Sequence, residues 1–288
     1  MFLADLTPEQ RAAILDGAGH DPCPGVEIEF KRAIGSAPGG PALHATIFRP
    51  AHPGADPTPG VLAFHGGGYG KGDPNGCGGI AKTLALTLGI TTVSASYRLA
   101  TQDTPTFPGI LDDALHAYRW ISSHAAELHI NPRRIAVCGE SAGVVLAAHL
   151  AVNHPRTEFA PGEHDPAALI VQWGCLDFVA RWFDLGEKAG AERVLFGTSY
   201  EQNPAVYHQA SPITHASAPL PPALFIFGRQ DPVVHARQGH LAHAAWQAAD
   251  AHSELVILPN IGHGIDGDNR PQRAQYLQAA VDFLSVHL

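Results

Sequence analysis

Residues 133–151 read RRIAVCGESAGVVLAAHLA and give the clearest indication of the fold. Its first half is a short apolar run typical of a buried β-strand, and its second half, from Ser141 onward, predicts a helix. The motif GESAG at residues 139–143 lies at the junction and has the G-x-S-x-G form. A turn this sharp needs small residues, and it exposes the serine hydroxyl at the carboxyl end of the sheet. The alternative is a tight structural turn in which the serine only caps the helix.

Composition and charge exclude several classes of function. The chain has 288 residues, of which 45% are hydrophobic and 16% charged, and a formal net charge of −9. An acidic chain without a basic cluster longer than a pair is not expected to bind nucleic acid or an anionic membrane. There is no apolar run long enough to span a bilayer, and the N-terminus lacks the features of a signal peptide. We therefore expect a cytoplasmic protein.

The cysteines and histidines do not suggest a metal site or a disulfide framework. No CxxC pair occurs, which favours reduced thiols in a cytosolic protein, and Cys138, in the strand before the serine, is expected in the core. The other cysteines are Cys23, Cys77 and Cys175. One predicted helix carries three of the eighteen histidines, but no acidic partner stands at ligand spacing, so a solvated face is favoured over a metal site. These are His235, His240 and His243. No metal or organic cofactor is expected.

Short continuous apolar runs alternate with helical segments over most of the chain. This pattern predicts an α/β fold with a mostly parallel central sheet buried by helices on both faces. The apolar runs are GVLAFHGG, GITTVSASY, RIAVCGE, AALIVQWGC, PPALFIFGRQD and SELVILPN, and the predicted helices include residues 107–124, 141–154, 234–251 and 271–287. We expect one domain over residues 1–288.

The N-terminal part departs from this alternation. Residues 1–24 contain a predicted helix that Thr7 caps, with Pro8 at its first position. The segments VEIEFKRAI and ALHATIFRP, separated by a turn rich in glycine and proline, predict an antiparallel hairpin.

The alternation also lapses over residues 177–221, where aromatic residues are frequent. An insertion of this length predicts a lid over a pocket. The alternative is that its aromatic residues only pack the insertion onto the sheet. The candidate pocket residues are Tyr69, Glu140, Phe178, Trp182, Phe183 and Phe196, with Phe2 and Leu3 of the N-terminal segment as further candidates.

A glycine run follows the strand that ends at Phe64. His65 is followed by three glycines in the sequence FHGGGYGKGD. Acyl transfer needs preorganised N–H donors for an oxyanion, and the amides of Gly66, Gly67 and Ala142 are the candidates. A phosphate loop is disfavoured because Lys71 is followed by glycine rather than serine or threonine. The side chain of His65 is expected to shape the loop rather than to act as a base.

A serine nucleophile needs a base and a carboxylate that orients the base. Asp231 comes just beyond the strand ALFIFG, and His263 just beyond the strand ELVIL. The carboxyl ends of neighbouring parallel strands meet at one edge of a sheet, so both side chains are expected near Ser141. Asp177 is the rival acid, whereas Asp266 and Asp268 are expected to be solvated loop residues.

Together the motifs HGGG, GESAG, YRLA, DALHAYRWI and DPVV…GHG resemble the α/β-hydrolase superfamily. Within it, the chain is similar to the hormone-sensitive-lipase-like esterases and the small bacterial carboxylesterases, from about Val26 to the C-terminus. The resemblance implies that Ser141 is the nucleophile, His263 the general base and Asp231 its orienting acid, with an oxyanion hole at the three amides named above.

The resemblance also assigns a structural role. Arg98 of YRLA is expected to form an ion pair with Asp112 or Asp113 rather than to touch substrate.

The chain departs from the family pattern at two places. Val144 replaces a third glycine after the elbow, and Ile265 stands where a phenylalanine often follows HG. The sequence SPITH at residues 211–215 is common in relatives that include feruloyl and acetyl esterases and formamidases, so the subfamily stays open.

We expect a serine carboxylic-ester hydrolase that forms an acyl-enzyme with a small-molecule ester carrying a short-to-medium acyl or aryl group. An amide-bond hydrolase such as an arylformamidase is the first alternative, because the same triad can cleave amides. A ligand-binding pseudoenzyme is the second. The sequence is also compatible with a homodimer.

Overall fold

The computed structural model describes residues 5–152, 157, 159, 163–186, 190–264 and 270–288. In these residues the chain forms one eight-stranded sheet with the order β1-β2-β4-β3-β5-β6-β7-β8. The strands are β1 (Val26–Gly35), β2 (Leu43–Pro50), β3 (Thr58–Phe64), β4 (Thr91–Ala95), β5 (Ile130–Glu140), β6 (Ala168–Gln172), β7 (Ala223–Gly228) and β8 (Ser253–Leu258).

The sheet is parallel except at its N-terminal end. β1 and β2 form the predicted antiparallel hairpin, and β2 continues antiparallel onto β4. The remaining pairings, from β4 through β3, β5, β6 and β7 to β8, are all parallel. The prediction of a mostly parallel sheet with an antiparallel hairpin is therefore confirmed.

Burial explains why the strands are apolar without alternation. Every residue of β4, β6 and β7 is buried, as a parallel sheet covered on both faces requires. β8, at the edge, is mostly half-buried and shows an alternating exposure at its start.

The helices are α1 (Pro8–Leu15), α2 (Gly78–Leu88), α3 (Gly109–Ser123), α4 (Val144–Ala151), α5 (Phe178–Leu185), α6 (Gly190–Phe196), α7 (Pro204–Ala210), α8 (Arg237–Ala248) and α9 (Arg270–His287). α1 begins as predicted. The side chain of Thr7 accepts from the amide of Gln10, and the Gln10 side chain accepts from the amide of Thr7. This capping box satisfies two backbone donors that the first turn of a helix otherwise leaves without partners.

Helices α5, α6 and α7 fall in the insertion between β6 and β7. Its aromatic residues pack on one another: the ring of Phe196 lies edge-on to Phe178 at 5.2 Å and to Tyr207 at 4.7 Å between centroids. Trp182 also meets Tyr207 edge-on, at 5.7 Å. We call Phe178, Trp182, Phe196, Tyr200 and Tyr207 the aromatic cluster.

The ion pair expected for Arg98 forms with Asp113. The guanidinium donates to both carboxylate oxygens at 2.7 Å, and the Arg98 amide adds a third bond at 2.9 Å. Because Asp113 is fully buried on α3, the pair fixes the loop after β4 to that helix.

All four cysteines are free thiols and all are buried. In the part of the chain that the structure describes, no helix combines the length and the apolar character needed to cross a membrane.

The strand order places a crevice at the centre of the sheet. β3 lies between β4 and β5, so the chain leaves β3 toward one side, forms β4, and then crosses to the other side for β5. In open α/β sheets, ligands bind at the carboxyl ends of strands where the strand order reverses. The loop after β3 and the turn after β5 meet at this position.

Candidate active site

The turn after β5 holds Ser141 in a strained backbone conformation. Glu140 is the last residue of β5, and a single 3₁₀ turn, Ser141–Gly143, leads into α4. The φ angle of Ser141 is 49°, in the left-handed region, where a residue with a side chain costs of order 1–3 kcal/mol. Such strain at a strand-to-helix turn is what a nucleophile elbow requires.

Close packing around the turn explains its glycines. A Cβ atom at Gly143 would lie 2.2 Å from the carbonyl oxygen of Phe64, the last residue of β3. Val144, which replaces the glycine found in many relatives, is fully buried. The room for it comes from Gly174, where an added Cβ would lie 2.2 Å from the Val144 side chain. The departure from the family pattern is therefore compensated within this chain.

The structure brings the three predicted triad residues together. Ser141 Oγ lies 2.8 Å from His263 Nε2, and His263 Nδ1 lies 2.8 Å from Asp231 Oδ2. The carboxylate can only accept, so Nδ1 carries the proton and Nε2 is left to accept from the serine hydroxyl. This is the arrangement in which an imidazole can take the proton of a serine during attack.

Asp231 is held by its own loop after β7. Its side chain is fully buried, and Oδ1 accepts from the amides of Val233 at 2.7 Å and Val234 at 2.8 Å. The second oxygen, Oδ2, is thereby directed at His263. The rival acid, Asp177, is used differently: its Oδ1 accepts from the amide of Ala180 at 2.9 Å and caps α5.

The glycine loop after β3 lies against the serine. A Cβ at Gly66 would be 3.2 Å from the Ser141 Cβ, so the loop backbone runs directly past the nucleophile. Gly67 has φ +129°, and a Cβ there would lie 2.0 Å from the carbonyl oxygen of Lys71. Ala142 follows the serine at the start of the 3₁₀ turn. The three amides assigned to the oxyanion hole therefore belong to backbone that borders Ser141.

His65 is a buried part of the same loop. Its Nδ1 lies 2.7 Å from the carbonyl oxygen of Gly66, and its ring stacks on Tyr97 with 4.4 Å between centroids. The Tyr97 hydroxyl donates to the His65 carbonyl at 2.8 Å. Burial lowers the pKa of His65 below its usual range. These contacts shape the loop, in agreement with the role expected for His65.

A cleft of about 310 Å³ opens at Ser141. Its described walls include the glycine loop, Glu140, Trp173 and His263. Of the predicted pocket residues, only Glu140 lines this cleft within the described part of the chain. The structure places Phe178, Trp182 and Phe196 in the buried aromatic cluster, Tyr69 against the ring of Phe178, and Phe183 on the surface with 71% exposure. Phe178, Trp182 and Phe196 therefore pack within the insertion, which is the alternative considered above.

Several residues named from the sequence lie outside the residues that the structure describes. They are Phe2, Leu3, Ile265, Asp266 and Asp268.

A buried arginine beside Asp231 was not among the site residues predicted from the sequence. Arg181 of α5 pairs with Glu192 of α6, and its Nη1 donates to the backbone carbonyl of Val233, in the Asp231 loop. Both charged side chains are more than nine-tenths buried. No local sequence pattern indicates the contact with Val233, which lies 52 residues from Arg181.

His235, which precedes α8, and His240 and His243 within α8 are not grouped as a metal site in the described structure. His243 Nδ1 lies 2.8 Å from the Ser253 hydroxyl, and His235 faces Asp184 at 3.7 Å. Within the same ranges, the one group of three side chains with metal-ligand spacing is His252, Glu254 and His287. It lies around the amino end of β8, away from the strand ends that carry Ser141.

Three comparisons relate this chain to known proteins. The family model described as BD-FAE matches residues 46–246. Over 91% of this chain and 94% of the other, the fold is similar to the propionate-bound esterase Est2 of Thermogutta terrifontis, with 26% identity and a TM-score of 0.73. The structure titled Bacterial Heroin Esterase aligns over 98% of this chain and 96% of that one, with 25% identity and a TM-score of 0.77. The α/β-hydrolase fold predicted from the motifs is therefore confirmed.

Among curated proteins, esterase LipI of Mycobacterium tuberculosis is 36% identical over 114 residues, which is 40% of this chain and 35% of LipI. Esterase LipQ of the same organism is 27% identical over 213 residues, or 70% of this chain and 49% of LipQ. The matched part of this chain thus spans less than half the length of these relatives.

Proposed function

The chain belongs to the BD-FAE family of α/β-hydrolases, and on this basis we propose that it is a serine carboxylic-ester hydrolase. The observation that carries the proposal is the unbroken chain from Ser141 Oγ through the His263 imidazole to Asp231 Oδ2, with 2.8 Å at each step. LipI, LipQ and Est2 are each described as esterases, which supports ester hydrolysis as the reaction of this chain.

In the proposed mechanism, Ser141 Oγ attacks the acyl carbonyl while His263 Nε2 takes the hydroxyl proton. Asp231, by accepting from Nδ1–H, keeps the imidazole in the correct tautomer and stabilises the imidazolium that forms. The negative charge on the former carbonyl oxygen is held by the amides of Gly66, Gly67 and Ala142. Each donor lost from such a hole typically lowers kcat by about 10² to 10³.

Collapse of the tetrahedral intermediate breaks the bond to the alcohol oxygen. His263 gives that oxygen its proton, the alcohol leaves, and the acyl group remains on Ser141 Oγ. Water then attacks the acyl-enzyme while the same imidazole takes its proton. A second collapse returns the proton to Ser141 and frees the carboxylic acid.

The cleft supports small substrates. Its volume of about 310 Å³ fits a short acyl or aryl group and its leaving alcohol. The insertion over residues 177–221 is proposed as a lid, since Arg181 ties it to the Asp231 loop. Esters with short-to-medium acyl chains are therefore the proposed substrate class.

A rate panel tests this function. Purified protein would be assayed on p-nitrophenyl acetate, butyrate, octanoate and palmitate, on methyl ferulate and on N-formylkynurenine, with the Ser141→Ala variant as the blank. Fast turnover of short-chain esters that the variant loses is the expected result. Turnover of the formamide alone would replace the esterase with an amide hydrolase. No turnover and no reaction of Ser141 with a fluorophosphonate would favour a ligand-binding protein.

A further inference from the structure

Three side chains that can bind a metal ion meet at the edge of the sheet opposite the N-terminal hairpin. His252 comes just before the edge strand β8, Glu254 lies on β8, and His287 is the last residue of α9. One nitrogen of each imidazole and one oxygen of the carboxylate all lie within 4.8 Å of one another. We call these three residues the edge cluster.

The period of β8 directs two of these side chains to the same side. Residues two apart in a strand share a face, so His252 and Glu254 lie on one face and Ser253 on the other. The contacts agree with this assignment. The Ser253 hydroxyl lies 2.8 Å from His243 Nδ1 on α8, whereas the His252 ring lies 4.7 Å from the His287 ring of α9, between centroids. Helix α9 therefore adds a third ligand to a face that already carries two.

Backbone contacts order the chain at both sides of the edge cluster. The carbonyl of His252 accepts from the amide of Ala223 on β7 at 3.1 Å, and β8 pairs with β7 along its whole length. On the other side, Arg134 of β5 donates to the backbone oxygen of Leu288, the residue after His287. An ion would therefore bind side chains whose backbone is already fixed, which reduces the entropy lost on binding.

His287 has the protonation state that metal binding requires. Burial and the neighbouring His252 imidazole lower the pKa of His287 below its usual range, so its imidazole is neutral at pH 7. Its ring packs on Phe283, one helical turn earlier, with 4.6 Å between centroids. Metals bind the neutral imidazole, so no proton has to be displaced from this ligand. The side chains of His252 and Glu254 are 54% and 48% exposed, which leaves the cluster open to ions in solution.

The spacing of the side chains suits a small ion. Two ligands of a tetrahedral Zn²⁺, each about 2.0–2.2 Å from the metal, lie about 3.4 Å apart. His252 Nε2 lies 3.3 Å from Glu254 Oε1, so this pair already has the required separation. The His287 nitrogen is within 4.8 Å of both atoms, and small side-chain rotations close the remaining gap.

We propose that the edge cluster binds a divalent transition-metal ion, Zn²⁺ fitting best, through two imidazole nitrogens, one carboxylate oxygen and a water molecule. Two nitrogen donors favour ions of this kind over Mg²⁺ and Ca²⁺, which prefer oxygen ligands. The bound ion joins the start of β8 to the end of α9 and so stabilises the last helix on the sheet.

The position of the edge cluster makes this a structural site. β8 is about 17 Å long, and the cluster lies at its amino end, whereas His263 of the candidate triad follows its carboxyl end. The ion is therefore distant from Ser141 and takes no part in ester hydrolysis. The inference does not depend on the proposed function.

Titration with zinc tests the site. Untagged protein, treated with EDTA and dialysed, would be titrated with ZnCl₂ and separately with MgCl₂ by isothermal titration calorimetry. One Zn²⁺ should bind per chain, and MgCl₂ should give no binding heat. At a free Zn²⁺ concentration about 100 times Kd, Tm should rise by about 5 °C, because the assembled ligands exist only in the folded chain.

Two variants remove single ligands. His252→Ala and Glu254→Gln change exposed side chains, so both should fold with a metal-free Tm close to that of the wild type. Zn²⁺ affinity should fall at least about tenfold in each, since even the loss of an outer partner of a metal ligand typically costs 10- to 100-fold. The matched control is His240→Ala, which removes an exposed imidazole on α8 outside the edge cluster and should leave the affinity and the Tm shift unchanged.

Three outcomes would overturn the metal site. Zn²⁺ that neither binds to the wild type nor raises its Tm would remove it. Binding that survives unchanged in His252→Ala and in Glu254→Gln would place the ion elsewhere on the chain. An equal loss of affinity in His240→Ala would show that the edge cluster is not the specific site. Each result is obtained without measuring ester turnover, so the metal site and the proposed function stand or fall separately.

Discussion

Arg181 and Asp231 both form a hydrogen bond with the backbone of Val233. Arg181 Nη1 donates to the carbonyl of Val233, and Asp231 Oδ1 accepts from the Val233 amide at 2.7 Å. The insertion between β6 and β7 is thereby connected to the acid of the candidate triad through one backbone residue. Arg181 is not among the described residues that line the cleft at Ser141, so its expected role is to position the Asp231 loop.

Removing this contact should lower kcat more than it raises KM. Arg181→Met alone would leave Glu192 as a buried unpaired carboxylate, at a cost of about 3–5 kcal/mol in stability, so the test uses the double variant Arg181→Met/Glu192→Met. Replacing a buried pair by apolar residues of similar volume is often neutral for folding. We expect kcat to fall about ten- to hundredfold through misplacement of Asp231, as steady-state kinetics would measure.

Arg237→Met is the matched control for that double variant. Arg237 joins α8 to Asp184 of α5 through an exposed ion pair at 2.8 Å and makes no contact with the Asp231 loop in the described structure. The kcat of the Arg237→Met variant should stay at the wild-type value. Equal kcat in the wild type and the double variant would show that Arg181 is only a packing residue.

The assignment of the triad acid predicts opposite results for two aspartates. Asp231→Asn keeps the shape but loses the carboxylate that fixes the His263 tautomer, and kcat should fall by about 10⁴. Asp177→Asn should keep kcat within about threefold, since an asparagine side chain also caps a helix. Kinetics on p-nitrophenyl butyrate would separate the two. If Asp177→Asn were the more damaging change, the acid assignment would be wrong.

The glycine loop should not tolerate a side chain at Gly67. Gly67→Ala places a methyl group at φ +129° and 2.0 Å from the Lys71 carbonyl oxygen, so the backbone must shift away from the predicted oxyanion position. A fall in kcat of about 10² to 10³ is expected. At Gly54, where an added Cβ would meet nothing within 4 Å, the same substitution should have no effect on kcat. Comparable activity of both variants would remove Gly67 from the oxyanion hole.

The cysteines should be inert in the folded protein. Burial raises the pKa of all four thiols, that of Cys138 to about 12. At pH 8 they are therefore protonated as well as shielded, and the thiolate is the reactive form. An Ellman titration should detect almost no thiol in the native protein and all four after unfolding in guanidinium chloride. Rapid reaction of the native protein would contradict the burial.

Much of this architecture could be predicted from sequence, because the relevant signals are local. Ser141 lies in a strand-turn-helix pattern, and Asp231 and His263 each follow a strand, so the three side chains were expected at one edge of the sheet. In the structure they lie within hydrogen-bonding distance of one another in sequence Ser141, His263, Asp231. Their catalytic roles remain predictions. The Thr7 cap is equally local. The ion pair of Arg98 was expected from the family motif, with Asp112 and Asp113 both open as its partner.

What could not be predicted depends on tertiary packing. An aromatic residue in an insertion gives the same sequence signal whether it lines a pocket or packs against its neighbours. Phe178 and Phe196 do the latter. The contact of Arg181 with the Asp231 loop and the meeting of Trp173 with Tyr276 join residues about 50 to 100 positions apart. The hydrophobic periodicity of a sequence contains no information about such distant pairs.

Covalent labelling tests whether Ser141 is an activated nucleophile. The wild-type protein would be incubated with a fluorophosphonate and its modified peptide identified by mass spectrometry, beside Ser141→Ala and His263→Ala. We expect a stoichiometric adduct on Ser141, no adduct in Ser141→Ala and labelling slowed by several orders of magnitude in His263→Ala. Ester turnover should fall by about 10⁴ to 10⁶ in both variants. An adduct on another residue, or ester turnover that survives in Ser141→Ala, would contradict it.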